Sequence, residues 1–116
     1  MKFSDMLRQA QQAHDSMLCV GLDPEPSKFP ADWRGDAART FEFCAAIVDA
    51  TRDLVCAFKP QIAYFAAQRA EDTLERLIAH IHRVAPGVPV SAPLEALRLL
   101  LDEIRNVPAL TVVVPV

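Results

Sequence analysis

Two short apolar runs, each closed by an ionisable residue and then a proline, constrain this chain more than any other feature. They are Leu18-Cys19-Val20-Gly21-Leu22 before Asp23-Pro24, and Leu54 to Phe58 before Lys59-Pro60. Continuous apolar runs of this length, without polar alternation, are the pattern of strands buried on both faces, as in parallel sheets covered by helices. The first strand is expected over Met17 to Leu22 and the second over Leu54 to Lys59.

The segments around these runs have the helical period. Ser4 is a candidate N-cap for a helix in which Met6, Leu7, Ala10 and Ala13 share a face, ending near His14-Asp15-Ser16 and covering one end of the strands. Asp23 to Gly35 contains Pro24, Pro26 and Pro30, which lack backbone donors and fix φ, so this stretch must be a long loop. A helix follows from Ala37 to Arg52, with Phe41, Ala45 and Val48, joined by Phe43 and Ile47, facing inward.

Ile62 to Val84 reads as helix in one or two pieces, with Leu74, Leu77, Ile78 and Ile81 on one face, and Pro86-Gly87 ends it. Val88-Pro89-Val90 begins a third strand, weakened by its proline. Pro93 fits a first helical turn, and Leu94, Leu97, Leu101 and Ile104 give another amphipathic helix. Leu110 to Val114 is β-branched and strand-like. The order, one helix and then βαβαβαβ, selects an α/β fold with parallel, right-handed crossovers. At 116 residues the chain holds less than half of the about 250 that a complete (β/α)₈ barrel needs.

With 52% hydrophobic and 23% charged residues, the composition is that of a soluble globular unit. The net charge of −3 and the lack of a basic run argue against a nucleic-acid surface and against a polybasic membrane anchor. Met1-Lys2-Phe3-Ser4-Asp5 has no apolar leader core, and no apolar stretch approaches the roughly 18 residues of a span, so a cytoplasmic protein is expected. Cys19, Cys44 and Cys56 lie in apolar stretches, at spacings of neither a metal knuckle nor a disulfide framework, and are read as buried thiols. His80 and His82 stand two apart on a helix and point in different directions, and His14 is isolated, so no metal site is expected.

Chemistry in parallel α/β folds gathers just past the carboxyl ends of the strands. Asp23 and Lys59 occupy that position. A carboxylate and an ammonium there could hold sugar hydroxyls, pair with each other, or tune a third group. The plainer alternative is a loop-capping aspartate and a lysine lying along apolar surface. A Schiff-base lysine of the aldolase kind is a further reading of Lys59, and it would require a lowered pKa.

The residues around the pair decide among these. Leu18-Cys19-Val20-Gly21-Leu22-Asp23-Pro24, Phe58-Lys59-Pro60-Gln61-Ile62-Ala63-Tyr64-Phe65 and Pro86-Gly87-Val88-Pro89-Val90, in this order and spacing, resemble the bacterial long-loop branch (type 2) of the orotidine 5′-phosphate decarboxylases. The resemblance covers residues 1–90 and implies part of a (β/α)₈ TIM barrel. The reaction it implies converts orotidine 5′-monophosphate to uridine 5′-monophosphate and CO₂ in de novo pyrimidine biosynthesis, without metal or organic cofactor. It further implies that Asp23 binds the substrate's ribose and that Lys59 belongs to a charged array beside the reacting carbon.

The family's third strand ends in Asp-x-Lys-x-x-Asp, whose lysine supplies the proton that replaces CO₂. Those positions fall here on Pro93, Glu95 and Arg98. Proline has no side-chain acceptor, a glutamate with an ordinary pKa is ionised at neutral pH, and arginine keeps its proton. Residues 91–116 are therefore expected to form a divergent tail of one helix and one strand, and the chain is expected to be a truncated family member inactive on its own. The competing expectation is a non-catalytic half-barrel, engineered or rearranged, that self-associates through its exposed strand edges.

Overall fold

A computed structural model describes residues 2–91, together with the backbone of Thr111 and Val112. The helix expected around Leu94 to Ile104, and the positions Pro93, Glu95 and Arg98, lie outside the described residues.

Helix α1 spans Phe3–His14, strand β1 Cys19–Leu22, helix α2 Thr40–Thr51 and strand β2 Ala57–Pro60. Helices α3, Ile62–Ala67, and α4, Glu71–Val84, follow, and β3 is Thr111–Val112. Both leading strands are shorter at their start than the apolar runs imply. The chain before β2 is still turning out of α2, with the Leu54 amide donating to the Thr51 carbonyl (2.8 Å). Ser4 does not cap α1: the N-cap position is Lys2, with no side-chain cap bond, and the Lys2 carbonyl accepts from Asp5 and Met6 (3.1 Å each).

Strands β1 and β2 pair in parallel, with Cys19 opposite Ala57, Val20 opposite Phe58, Gly21 opposite Lys59 and Leu22 opposite Pro60. Because side chains alternate along a strand, this register divides the sheet into two faces. Val20, Leu22 and Phe58 join Cys44, Val48, Phe65, Leu77 and Ile81 in the main core, under α2, α3 and α4. Cys19 and Ala57 lie on the other face and pack with Leu7 and Ala10 of α1 and with Cys56. Helix α1 thus closes the starting ends of the strands, as its apolar face predicts.

All three cysteines are buried and unbonded. In α2, Cys44, Ala45 and Val48 are buried, while Phe41, Phe43 and Ile47 pack against the core from its margin. The helical stretch after β2 comes in two pieces, separated by a turn in which Arg69 takes φ +52°. The Ala70 amide donates to the Phe65 carbonyl (2.8 Å) and the Arg69 amide to the Ala66 carbonyl (3.0 Å). This is the Schellman ending of a helix, whose left-handed residue is usually glycine.

Among the described residues the third strand is one bridge between Val90 and Phe58, with the Phe58 amide donating to the Pro89 carbonyl (3.1 Å) and the Ser91 amide to the Phe58 carbonyl (2.9 Å). Pro89 has no N–H to extend the ladder. Strand β3 pairs in parallel with the opposite edge of β1, Cys19 opposite Thr111 and Val20 opposite Val112, giving the order β2-β1-β3.

The proline-rich loop is ordered by short 3₁₀ turns at Pro26–Lys28 and Ala31–Trp33 and by Phe29, which is fully buried and stacks on Phe43 with centroids 4.5 Å apart. Gly35 sits at φ +83°, and its amide donates to the Pro26 carbonyl (2.7 Å), closing the loop on itself. No described helix is long and apolar enough to cross a membrane.

Arg69 carries a Cβ in a conformation that costs an L-residue about 1 kcal/mol or more. Arg69→Gly is therefore expected to raise unfolding stability by about 0.5–1 kcal/mol, after the larger unfolded-state entropy of glycine is subtracted. Urea denaturation followed by circular dichroism checks this, and a lowered midpoint would contradict it.

Candidate functional site

Asp23 and Lys59 fall on the same face of the sheet. Cys19, Gly21 and Asp23 alternate along one chain, Ala57 and Lys59 along the next, and Gly21 stands opposite Lys59. That face is the one α1 covers at the other end, so the two ionisable groups sit at the carboxyl ends of adjacent parallel strands. Asp23 lies two residues beyond Gly21, which stands opposite Lys59, and strand spacing and rise then place the two Cα atoms roughly 8 Å apart.

The strand ends are fastened where the two residues emerge. The Gln61 amide donates to the Leu22 carbonyl (3.0 Å), carrying the β1–β2 connection past Pro60. Pro24 is buried directly after Asp23. Asp23 and Lys59 are themselves half-buried, so a ligand could reach them.

The Asp23 carboxyl is in an unfavourable place. Its Oδ1 is buried without a hydrogen-bond partner among the described residues. Burial raises its pKa above the ordinary 3.8, the nearby Lys59 ammonium pulls it back down, and Glu25 pushes it up again. Across the helix layer, burial lifts the Cys44 thiol to about 12, with the Asp23 charge adding to the effect. Burial also lifts Cys19 to about 11, so these thiols are neutral, apolar packing groups at physiological pH. A carboxyl oxygen buried without a donor among the described residues costs stability unless one arrives, which suits a binding group better than a structural one.

A polar cluster backs the same corner. The Gln68 Nε2 donates to the carbonyls of Pro24 (2.9 Å) and Tyr64 (3.1 Å), and its Oε1 accepts from the Thr40 hydroxyl (3.1 Å). Sequence reasoning missed Gln68 and Thr40, because a lone polar residue at a helix end carries no periodic or motif signal. The histidines stay apart from the site. His14 bonds the Val55 carbonyl through Nδ1 (2.8 Å), and His80 Nε2 meets Asp49 (2.7 Å). Among the described residues no group of three or more His, Cys, Asp or Glu could hold a metal.

Because the folded-state pKa of Asp23 is raised, the folded chain holds its proton more tightly than the unfolded chain does. Folding stability then falls as pH rises through the carboxylate range. Asp23→Asn is expected to raise the thermal midpoint at pH 7, and that gain should shrink below the unfolded pKa of 3.8. Thermal scans from pH 3 to 7 test this, and a gain independent of pH would contradict the linkage.

No family model matches the chain. Over 90 residues, 78% of the chain, it is 71% identical to the orotidine 5′-phosphate decarboxylase of Leptothrix cholodnii and 71% identical to that of Methylibium petroleiphilum. In each case it spans 32% of the relative's length. A crystal structure from Toxoplasma gondii, of a protein assigned as an orotidine-monophosphate decarboxylase, superposes with a TM-score of 0.65 at 33% identity, covering 76% of this chain and 30% of that one. By sequence and by fold, the N-terminal 78% of this chain is similar to a part of the orotidine 5′-phosphate decarboxylases, and it has the α/β architecture of part of a TIM barrel.

Proposed function

We propose that Asp23 and Lys59 are two members of an orotidine 5′-phosphate decarboxylase site, and that this chain binds orotidine 5′-monophosphate without decarboxylating it on its own. The observation that carries the reading is the placement of both residues on one sheet face, at adjacent strand ends, within a segment 71% identical to named decarboxylases. Asp23 accepts hydrogen bonds from the ribose hydroxyls, which gives the buried Oδ1 a donor where the described residues offer none. Lys59 supplies a fixed positive charge beside the pyrimidine carbon.

The chemistry explains why two strand ends are insufficient. Breaking the bond to the carboxylate releases CO₂ and leaves the electron pair on the ring carbon, which must then receive a proton. A fixed ammonium stabilises that carbanion. In the family pattern a second lysine delivers the proton, and here its position falls on Glu95, flanked by Pro93 and Arg98 in place of aspartates. An ionised glutamate cannot donate, and its charge opposes the carbanion. Loss of a positioned acid alone forfeits about 10²–10⁴ in rate.

The matches stop at 90 residues, which supports reading residues 91–116 as a divergent tail, and Thr111–Val112 supports its strand. The proposed chemistry uses no metal or organic cofactor, no nucleic acid and no membrane, and its setting is the cytoplasm.

The full chain mixed with orotidine 5′-monophosphate is expected to show no loss of orotate absorbance. Uridine 5′-monophosphate is expected to shift the Asp23 and Lys59 resonances by NMR, and Asp23→Ala should weaken this binding by about tenfold or more, the size of a hydrogen bond to a charged group. Turnover that disappears in Lys59→Ala would overturn the inactivity. Absence of any nucleotide shift would sink the site itself, and a defined dimer on sizing would favour the self-associating half-barrel.

A further inference from the structure

Gln68 makes the contacts that fix the loop leaving β1. Its side chain bridges three elements: the segment after β1 through the Pro24 carbonyl, α3 through the Tyr64 carbonyl, and the start of α2 through Thr40. Two of these contacts span 28 and 44 residues of sequence. The amide orientation is forced, because two carbonyls can only accept, so the NH₂ group must face Pro24 and Tyr64. Thr40 is 1% exposed, and its single hydroxyl proton lies between the Ala37 carbonyl (2.9 Å) and the Gln68 Oε1 (3.1 Å). The arrangement is a partly buried polar relay from α2 to the residue that follows Asp23.

We propose that Gln68 is a positioning residue for Asp23: by holding the Pro24 carbonyl it fixes the backbone from which the Asp23 carboxylate projects over the end of the sheet. The inference rests on the reading of Asp23 as a binding group, but the positioning acts before any ligand arrives. Pro24 fixes its own φ and has no N–H, so its carbonyl is the one backbone hydrogen-bonding group by which it can be held. The first hydrogen bonds of the loop, from Lys28 to the Glu25 carbonyl (2.9 Å) and from Gly35 to the Pro26 carbonyl (2.7 Å), begin just beyond it. Without Gln68 the turn that carries Asp23 loses this tie to the helix layer, and the next one along the loop is Phe29 stacked on Phe43.

Gln68→Met keeps the length of the side chain and removes its hydrogen bonds. In the full chain, amide exchange at Lys28, Phe29 and Gly35 should speed about tenfold, while exchange at Leu77 and Ile81 in the core stays as in the parent. The Asp23 carboxyl, followed by ¹³C NMR, should titrate closer to its ordinary value as the loop opens to water. Thr40→Val, which preserves buried volume and removes the hydroxyl, should give the same pattern at about threefold. Unchanged loop exchange, or equal acceleration of core and loop, would overturn the proposal. Neither readout needs a ligand, so failure of uridine 5′-monophosphate to bind the parent chain would count against the site reading and leave the Gln68 result standing.

Discussion

The parallel register of β1 and β2 is the constraint from which both the packing and the site follow. With Gly21 opposite Lys59 and Cys19 opposite Ala57, alternation sends Val20, Leu22 and Phe58 into the helix layer and leaves Asp23 and Lys59 together on the other face. A slip of one residue in either strand would send its ionisable residue into the apolar core and bring core side chains out. The cost of burying Lys59 or Asp23 among Phe65, Leu77 and Ile81 makes such a slip prohibitive, so the charged pair helps to specify the register that creates it.

Stability and recognition are separated along the length of the strands. At their starting ends α1 seals the sheet with Leu7 and Ala10 against Cys19 and Ala57, a contact made wholly of apolar groups. At their carboxyl ends the same two strands carry the half-buried Lys59 and a carboxyl oxygen of Asp23 that has no partner among the described residues. The apolar end and the helix layer hold the strands that keep those groups in place, although burial disfavours the charged form of Asp23 there. Stabilisation at one end thereby permits strain at the other, a division common in enzymes of this architecture.

Among the described residues, the sequence carried β1, β2, the helices and the strand-end placement of Asp23 and Lys59 because each has a strong local signature: an apolar run, a 3.6-residue period, or an ionisable residue at the end of a run. The Pro89 bridge was legible for the same reason, as proline removes a ladder donor. Two features were illegible. The start of α1 departed from Ser4 because tertiary packing of Phe3 and Leu7 set the helix, overriding a cap preference worth only about 1 kcal/mol. The pairing of Thr111–Val112 with β1 depends on which strand edge is available in space, and nothing in a β-branched pentapeptide encodes its partner.

Gln68 shows why the supporting part of a site is harder to read than its reacting groups. Its role depends on two contacts separated by 28 and 44 residues, and its side chain has no charge or reactivity to mark it. The loop it restrains is otherwise held by Phe29 stacked on Phe43, about one turn further along the chain. An apolar anchor fixes distance from the core but leaves rotation about the stack free, whereas the Gln68 amide fixes the direction of a single carbonyl. The two restraints are therefore complementary: Phe29 holds the loop down, and Gln68 determines which way its first residue, Asp23, faces.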